Sequence, residues 1–352
     1  MDFLLQYGLF LAKTATWVIA IIVLVAVILM LVMRQKQRKG ELEISNLSEQ
    51  LDETQHRLQS ELLSGEEQKL VEKKRKKAQK KAAKERKQAL KQQDEGSERN
   101  QKSRLFVLDF KGSIDAKEVR SLREEVSAVL AIASSKDEVL VRLESGGGVV
   151  HGYGLAASQL QRIRDRHIPL TVSVDKVAAS GGYMMACVAE KILAAPFAII
   201  GSIGVIAQLP NFNRLLKRND IDFEQHTAGE FKRTLTMFGE NSDKGRAKFR
   251  EDLEAIHGLF KDFVGEHRPE LELSKVATGE YWFGRQALKL GLIDTIQTSD
   301  EYLLSQHPDR TLVGVRYVVR KRLADKLSHS VSLGIERAVA RLATSSPFSW
   351  LR

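Results

Sequence analysis

The chain has 352 residues, 43% of them hydrophobic, which is enough for one sizeable domain with appendages or for two domains. Its formal net charge of +10 resides in Lys69–Lys91, which holds 12 basic and two acidic residues, so the rest of the chain is neutral. This distribution argues against a nucleic-acid-binding folded body, and a single cysteine, Cys187, excludes an internal disulfide.

An uncharged run of 20 residues, Thr14–Met33, is long enough to cross a bilayer, and Trp17 lies near one end as an interfacial anchor would. No small-x-small cleavage site precedes the charged residues that follow, so we predict an uncleaved membrane anchor within residues 1–40. Four basic residues within 34–39 favour a cytoplasmic location for the C-terminal body under the positive-inside rule.

Residues 41–104 form a predicted linker. Glu41–Ser64 is polar and helix-favouring, and its apolar positions predict a marginal helix that pairs along a short heptad seam in an oligomer. Lys69–Lys91 has almost no large apolar residues and predicts a solvated helix or a disordered spacer. Near a bilayer it would be attracted to anionic head groups. The seam positions are Ile44, Leu47, Leu51 and Leu58.

From Leu105 onward, strand and helix signals alternate. Apolar runs at 105–110, 138–144 and 170–174 predict strands, and helical periodicity at 116–133 and 154–166 predicts the helices between them. This order predicts a largely parallel α/β sheet. Loops that leave the carboxyl ends of such strands build the site, and two of them, at 145–148 and 179–182, are rich in glycine and serine.

The remaining C-terminal segments predict supporting structure. Residues 192–209 are uncharged but broken by Pro196 and two glycines, so a buried strand and loop are favoured over a second span. A long helix is predicted at 243–266, and a turn-helix-turn at 278–294 with Gly291 as its cap. We place the main domain at 105–300 and, at 301–352, a C-terminal strand with a basic amphipathic helix (Lys321–Leu342) as an interface.

Ser180 ends a predicted strand and begins a predicted helix, where free backbone N–H groups suit a nucleophile whose product is an oxyanion. The alternative is that Ser180 only caps the helix. Two N–H donors could form an oxyanion hole, one from Gly147 or Gly148 and the other from Gly181. No GK[ST] or GxGxxG motif supports a phosphate cradle.

A nucleophilic serine needs a base. None of the eight histidines lies in a catalytic context, although His151 and His226 stay open, and the serine lacks the GxSxG elbow of the α/β-hydrolases. Lys232, which follows a turn after an extended run, is the remaining candidate. It would have to be neutral to accept the proton of the serine, which requires burial and hydrogen bonds that lower its pKa.

Four stretches together carry a family resemblance: VDKVAASGGYMMAC, GSIGV at 201–205, AGEFKRTLT at 228–236 and TGEYWFGRQALKLGLID. They resemble the signal peptide peptidase A family of serine–lysine peptidases, over roughly Leu105–Thr298 and the N-terminal anchor. The resemblance implies a crotonase-like (Clp-protease-like) fold, with Ser180 as nucleophile and Lys232 as general base. It also implies that Ser202 orients the lysine amine and that Gly148 and Gly181 are the oxyanion donors. The family usually has a proline where this chain has Gly146, which implies a less rigid loop.

The family resemblance also implies a homo-oligomer in which the lysine of one subunit can reach the serine of another. The implied substrates are hydrophobic peptides at the bacterial inner membrane, such as remnant signal peptides, and no metal or cofactor is implied. The family usually faces the periplasm, which conflicts with the positive-inside pattern, so the sequence leaves the membrane side open.

Three hypotheses follow from the sequence. The first is a membrane-anchored serine–lysine endopeptidase. The second is a crotonase-fold acyl-CoA enzyme, which would need a carboxylate near the glycine loops and gives Lys232 no role. The third is a non-enzymatic membrane scaffold that acts through its basic segment. Labelling of Ser180 by a fluorophosphonate would separate the first from the other two.

Overall fold

A computed structural model of the chain describes residues 2–33, 40–91 and 102–319. One of its two compact units contains helix α1 (Asp2–Met33), and the other runs from Leu42 to Tyr317. Within the described ranges, α1 provides one stretch that is long and apolar enough to cross a bilayer, Gln6–Val25, with a mean hydropathy of 2.2. The predicted span Thr14–Met33 lies in the same helix, whereas the predicted helix at 321–342 lies outside the described residues.

The larger unit is built on a seven-stranded sheet in the order β1-β10-β2-β3-β4-β6-β9. The pairings from β10 through β2, β3, β4 and β6 to β9 are all parallel. A second sheet has the order β5-β7-β8. The strands are β1 (Glu41–Asn46), β2 (Arg104–Lys111), β3 (Glu138–Glu144), β4 (Leu170–Val174), β5 (Val177–Ala179), β6 (Lys191–Ala194), β7 (Ile199–Gly201), β8 (Tyr281–Phe283), β9 (Thr295–Ile296) and β10 (Thr311–Val318).

Helices cover both faces of the large sheet, which is why its central strands are apolar on both sides. Residues of α4, α5, α6 and α8 share one apolar cluster with alternate residues of β2, whereas α2 and α11 share a second cluster with the other residues of that strand. The helices after α1 are α2 (Leu47–Glu61), α3 (Gly65–Lys91), α4 (Val119–Leu130), α5 (Val150–Arg164), α6 (Gly181–Ala186), α7 (Asn213–Arg218), α8 (Asp243–His267), α9 (Leu273–Val276), α10 (Gly284–Lys289) and α11 (Ser299–Gln306).

The central α/β pattern is confirmed. The predicted strands at 105–110, 138–144 and 170–174 are β2, β3 and β4, and the helices between them are α4 and α5. Gly291 has a φ of +79° at the end of α10, as a C-terminal cap requires. Cys187 is buried, and burial raises the pKa of its thiol, which fits the predicted core position rather than a reactive thiol.

The predicted helix at 41–64 is wrong at its start. Residues 41–46 form strand β1, the neighbour of β10 at one edge of the sheet, and the Asn46 side chain then caps α2 by accepting a hydrogen bond from the N–H of Glu49 at 3.2 Å. Leu47 and Leu51 pack against the second core cluster of their own chain, not along an oligomeric seam. The pairing of β1 with a strand more than 250 residues away is a non-local event that local helix propensity does not report.

The larger unit includes more of the chain than the predicted domain at 105–300. Strand β10 lies between β1 and β2, so segments on both sides of that range contribute to one sheet. Two side chains hold the C-terminal segment against the rest of the sheet. Ser48 accepts a hydrogen bond from the N–H of Leu312, and Glu138 forms an ion pair with Arg310.

Candidate active site

The two glycine-containing loops meet because β3 continues into a short bridge with β5. Ser145 pairs with Ala178, and its carbonyl accepts the N–H of Ala179 at 3.0 Å. The loop at 146–148 therefore lies beside the turn that starts α6. The contact is close: a Cβ atom on Gly147 would lie 2.7 Å from the Cβ of Ser180 and from the N of Gly181.

Ser180 adopts a backbone conformation that L-residues rarely occupy, with φ +52° and ψ −121°. Its N–H donates to the carbonyl of Gly201 at 2.8 Å, and its own carbonyl accepts the N–H of Met184 at 3.0 Å. The side chain makes no capping hydrogen bond to α6, so the cap hypothesis does not explain the residue. Strain of this kind costs roughly 1–3 kcal/mol and persists where the surrounding structure enforces it, often at active sites.

Ser202 lies beside Ser180 because β5 and β7 run parallel. Ala179 is paired with Gly201, so the two serines leave adjacent strands at the same level. Ser202 also has a positive φ of +51°, and its hydroxyl donates to the carbonyl of Gly279 at 3.4 Å. The sequence interval of 22 residues gives no hint of this proximity, which depends on the second sheet.

Of the three predicted oxyanion donors, two are available to the cleft. The N–H of Gly147 donates to Ser145 Oγ at 3.1 Å, whereas those of Gly148 and Gly181 have no hydrogen-bond partner within the described part of the chain. Gly148 must be glycine, since a Cβ there would lie 1.9 Å from the carbonyl oxygen of Ile114.

Ser180, Ser202 and the glycine loop line a cleft of about 980 Å³. Most of its other side chains are apolar, and they come from the segment after β2, the glycine loop and the start of α5, α6, the segment after β7, and α8. Its titratable side chains come chiefly from α8. The apolar members are Ile114, Val149, Val150, Met184, Val205, Ile206, Leu253 and Phe260, and the titratable members are Tyr153, Arg250, Glu254 and His257.

Lys232 does not line this cleft. It lies in residues 205–241, here called the arm, which connect β7 to α8 and contain α7, and its side chain is exposed. Its N–H donates to the carbonyl of Gly229 at 3.2 Å, which closes the predicted turn. The structure thus brings Ser180, Ser202, Gly148 and Gly181 together and leaves Lys232 outside.

The histidines kept open by the sequence do not line the cleft either. His151 is exposed on α5, and His226 is exposed in the arm, where it lies 3.4 Å from Glu224. His257, which no local motif singled out, does line the cleft, and its Nε2 lies 3.2 Å from the carbonyl oxygen of Ile203. The sequence predicts this helix at 243–266, but only the fold shows that it forms a cleft wall.

No group of three or more His, Cys, Asp or Glu side chains in the described ranges is arranged as a metal site. The cleft instead offers a serine hydroxyl, unpaired backbone N–H groups and apolar walls, a set suited to acyl transfer on an apolar substrate.

Comparison with known proteins identifies the family. The model of the peptidase family S49 N-terminal region matches residues 2–160, and that of peptidase family S49 matches residues 162–312. The chain belongs to peptidase family S49. This S49 peptidase is 50% identical over 343 residues to a Haemophilus influenzae protein named "Probable protease SohB", covering 97% of both chains. It is 51% identical over 342 residues to a protein of the same name from Buchnera aphidicola, covering 97% of this chain and 98% of the relative.

Family membership confirms the predicted family and the crotonase-like (Clp-protease-like) α/β class. Among solved structures, a mutant of the 1510-N membrane-bound stomatin-specific protease in complex with a substrate peptide has a TM-score of 0.42 and 15% identity. That match covers 65% of this chain and 98% of the other.

Proposed function

We propose that this S49 peptidase is a serine endopeptidase in which Ser180 is the nucleophile. The observation that carries the proposal is the strained Ser180 turn, whose side chain caps nothing and which lines a cleft beside two unpaired N–H groups. A cleft with this composition can bind an extended apolar peptide and hold the oxyanion of a tetrahedral intermediate.

In the proposed reaction, Ser180 Oγ attacks the scissile carbonyl carbon while its proton passes to the neutral amine of Lys232. The N–H groups of Gly148 and Gly181 stabilise the oxyanion, and the lysine then delivers the proton to the leaving amine. The same lysine then takes a proton from water, which attacks the acyl-enzyme carbonyl carbon, and returns that proton to Ser180 Oγ as the ester bond breaks and the second product, a carboxylic acid, leaves. The hydroxyl of Ser202 would orient the lysine amine between these steps.

We further propose that Lys232 reaches the cleft of a neighbouring subunit in a homo-oligomer. Within its own chain it lies outside the cleft, and the arm that carries it exposes many large apolar side chains, as interaction surfaces do. Eight large apolar side chains of the arm are each at least 40% exposed: Ile206, Leu209, Phe212, Leu215, Ile221, Phe223, Phe231 and Phe238.

The proposed substrates are hydrophobic peptides, such as remnant signal peptides or membrane-associated segments of proteins. The apolar walls of the cleft favour such side chains, and α1 would anchor the enzyme by a single span in the bacterial inner membrane, where these peptides are found.

Fluorophosphonate labelling of the full-length enzyme in detergent tests this function. We expect the reagent to modify Ser180 in the wild type and in Ser158→Ala, whose hydroxyl lies on the exposed side of α5 and bonds to the carbonyl of Gly154. Ser180→Ala should lose labelling and peptide cleavage, and its unfolding free energy should change by less than about 0.5 kcal/mol because no cap bond is lost.

Peptide cleavage by purified Ser180→Ala at the wild-type rate would refute the assignment. Labelling of Ser180 without any peptidase activity would contradict the peptidase assignment without supporting the acyl-CoA enzyme, which needs no reactive serine. Absence of both labelling and cleavage in the wild type would favour the scaffold.

A further inference from the structure

We infer that Tyr153 and Ser145 are positioning residues that hold both donors of the oxyanion hole in place. The inference rests on the proposed acyl transfer by Ser180. Both side chains lie beneath the cleft, where Tyr153 is fully buried and Ser145 is 2% exposed. They would act through the glycine N–H groups rather than on the reacting atoms themselves.

A continuous chain of hydrogen bonds links the tyrosine to the glycine loop. The hydroxyl of Tyr153 donates its only proton to the carbonyl of Ser113 at 2.8 Å, so the 2.5 Å contact with Ser145 must use the serine as donor. Ser145 Oγ then accepts the N–H of Gly147 at 3.1 Å. Burial raises the pKa of Tyr153, which keeps this hydroxyl protonated and able to donate.

This series of hydrogen bonds determines the direction of the N–H group of Gly148. With the N–H of Gly147 held by Ser145 and the N–H of Val149 donating to Ile114 at 2.9 Å, the N–H of Gly148 is fixed between two anchored peptides. A Cβ on Gly146 would have no neighbour within 4 Å. The loop is therefore held by the hydrogen bonds of the residues that follow Gly146, not by packing at Gly146 itself.

The ring of Tyr153 supports the other donor. A Cβ atom on Gly181 would lie 2.4 Å from Cγ of Tyr153, so the backbone of Gly181 rests directly on the tyrosine. One side chain therefore contacts the residue that carries one donor and, through Ser145, fixes the loop that carries the other. Buried hydrogen-bond networks of this kind rigidify a site only when every member is satisfied.

Tyr153→Phe tests the inference, since it keeps the ring and removes the hydroxyl. We expect kcat for a fluorogenic apolar peptide to fall about 10- to 100-fold, less than or equal to the loss of a whole oxyanion donor, with KM changed less than about twofold. A peptide aldehyde of the same sequence forms an oxyanion in the same hole. Its Ki should therefore rise by the factor by which kcat/KM falls.

Tyr302→Phe is the matched control. Tyr302 is also a buried tyrosine, but its hydroxyl donates to Glu138 and it belongs to the apolar cluster on the other face of the sheet. This control should lower the melting temperature and leave kcat and the aldehyde Ki unchanged, which separates positioning of the hole from general stability.

Ser145→Ala provides a second and independent break in the same hydrogen-bond chain. It should reproduce the kinetic defect of Tyr153→Phe. The kcat of the double variant should be no lower than that of the less active single variant, because both changes release the same loop. If Tyr153→Phe does not fold, Ser145→Ala carries the test with the same measurements.

Unchanged kcat in the folded variants would overturn the inference, and so would a fall in kcat without a matching rise in the aldehyde Ki. Strictly additive defects in the double variant would also overturn it. These results are distinct from failure of the proposed function, in which Ser180 of the wild type would not react with a fluorophosphonate at all.

Discussion

The two parts of the proposed catalytic machinery are built in opposite ways. Around Ser180, the backbone is held by hydrogen bonds from three directions and rests on a fully buried tyrosine. The arm that carries Lys232 is instead held mainly by its own asparagine side chains, and Ile206 at its start is 79% exposed. Asn211 and Asn213, for example, donate to carbonyls of residues 236–239 within the arm.

Under the proposed function, this contrast means that one chain supplies the nucleophile and the oxyanion hole but not the base. Pre-organisation of the oxyanion hole requires a backbone held firmly by its surroundings, which the hydrogen bonds and the buried tyrosine around Ser180 supply within one chain. The Lys232 amine lies on an exposed arm, so a second surface is needed to position it. We propose that another copy of the chain provides that surface. Mutations around Ser180 and mutations in the arm should therefore have different effects on activity, stability and assembly.

Lys232→Arg has the largest expected effect in this comparison. A guanidinium stays protonated at any working pH and cannot accept the serine proton, so activity should fall at least about 10³-fold, as far as in Lys232→Ala. Peptide cleavage by the purified variants measures this. Mixing Lys232→Arg with Ser180→Ala subunits should restore activity, because a mixed oligomer pairs an intact serine with an intact lysine from another chain.

Absence of recovery in demonstrably mixed oligomers would show that Ser180 and Lys232 act within one chain. Near-wild-type activity of Lys232→Arg together with an inactive His257→Gln would remove the lysine from the mechanism and make His257 the base.

Gly148→Ala should have the second-largest effect. In mixed oligomers, activity should be restored by the opposite partner variant from the one that restores Lys232→Arg. Its Cβ would lie 1.9 Å from the Ile114 oxygen, so the loop must move and one oxyanion donor is misplaced. We expect a 10²- to 10³-fold fall in kcat and a loss of about 1–3 kcal/mol in unfolding free energy. Mixing with Lys232→Arg subunits should restore activity. Mixing with Ser180→Ala subunits should not, because neither subunit then has both an intact Ser180 and an intact oxyanion hole.

Gly146→Ala is the matched control for this variant, because a Cβ at Gly146 meets no atom within 4 Å. It should fold with wild-type stability. A Gly148→Ala variant with wild-type kcat would show that this N–H is not an oxyanion donor.

Phe238→Ala, within the arm, has the smallest expected effect on a single chain. Phe238 is 42% exposed and packs on Phe212 with ring centroids 6.1 Å apart, so its loss should cost about 1 kcal/mol of stability or less. Its effect should instead fall on assembly. Sedimentation and activity measured over a dilution series should show dissociation, and loss of turnover, at a higher protein concentration than in the wild type.

Leu304→Ala is the control for that series, because Leu304 is 59% exposed on α11, outside the arm. It should dissociate at the wild-type concentration. If Phe238→Ala also matches the wild type, the apolar surface of the arm is not the subunit contact.

The sequence by itself determined the central α/β pattern and the location of the proposed nucleophile. The strands at 105–110, 138–144 and 170–174 are continuous apolar runs, and their local signal is strong because both faces of a parallel sheet are buried. The glycine-rich loops follow two of the predicted strands, and composition alone marks them as places where backbone N–H groups are accessible. The combined motifs were also specific enough to identify the family that the comparisons confirm.

The tertiary structure decided everything that depends on pairing between distant segments. It placed β1 and β10 in the main sheet, set Ser202 beside Ser180 through the β5–β7 register, and turned the N–H of Gly147 away from the cleft toward Ser145. It also left Lys232 outside the cleft of its own chain. Local propensity cannot encode the strand pairings, because register is set by partners tens to hundreds of residues away. The hydrogen bond from Gly147 to Ser145 spans only two residues, but it depends on the buried Tyr153 and its contact with Ser113.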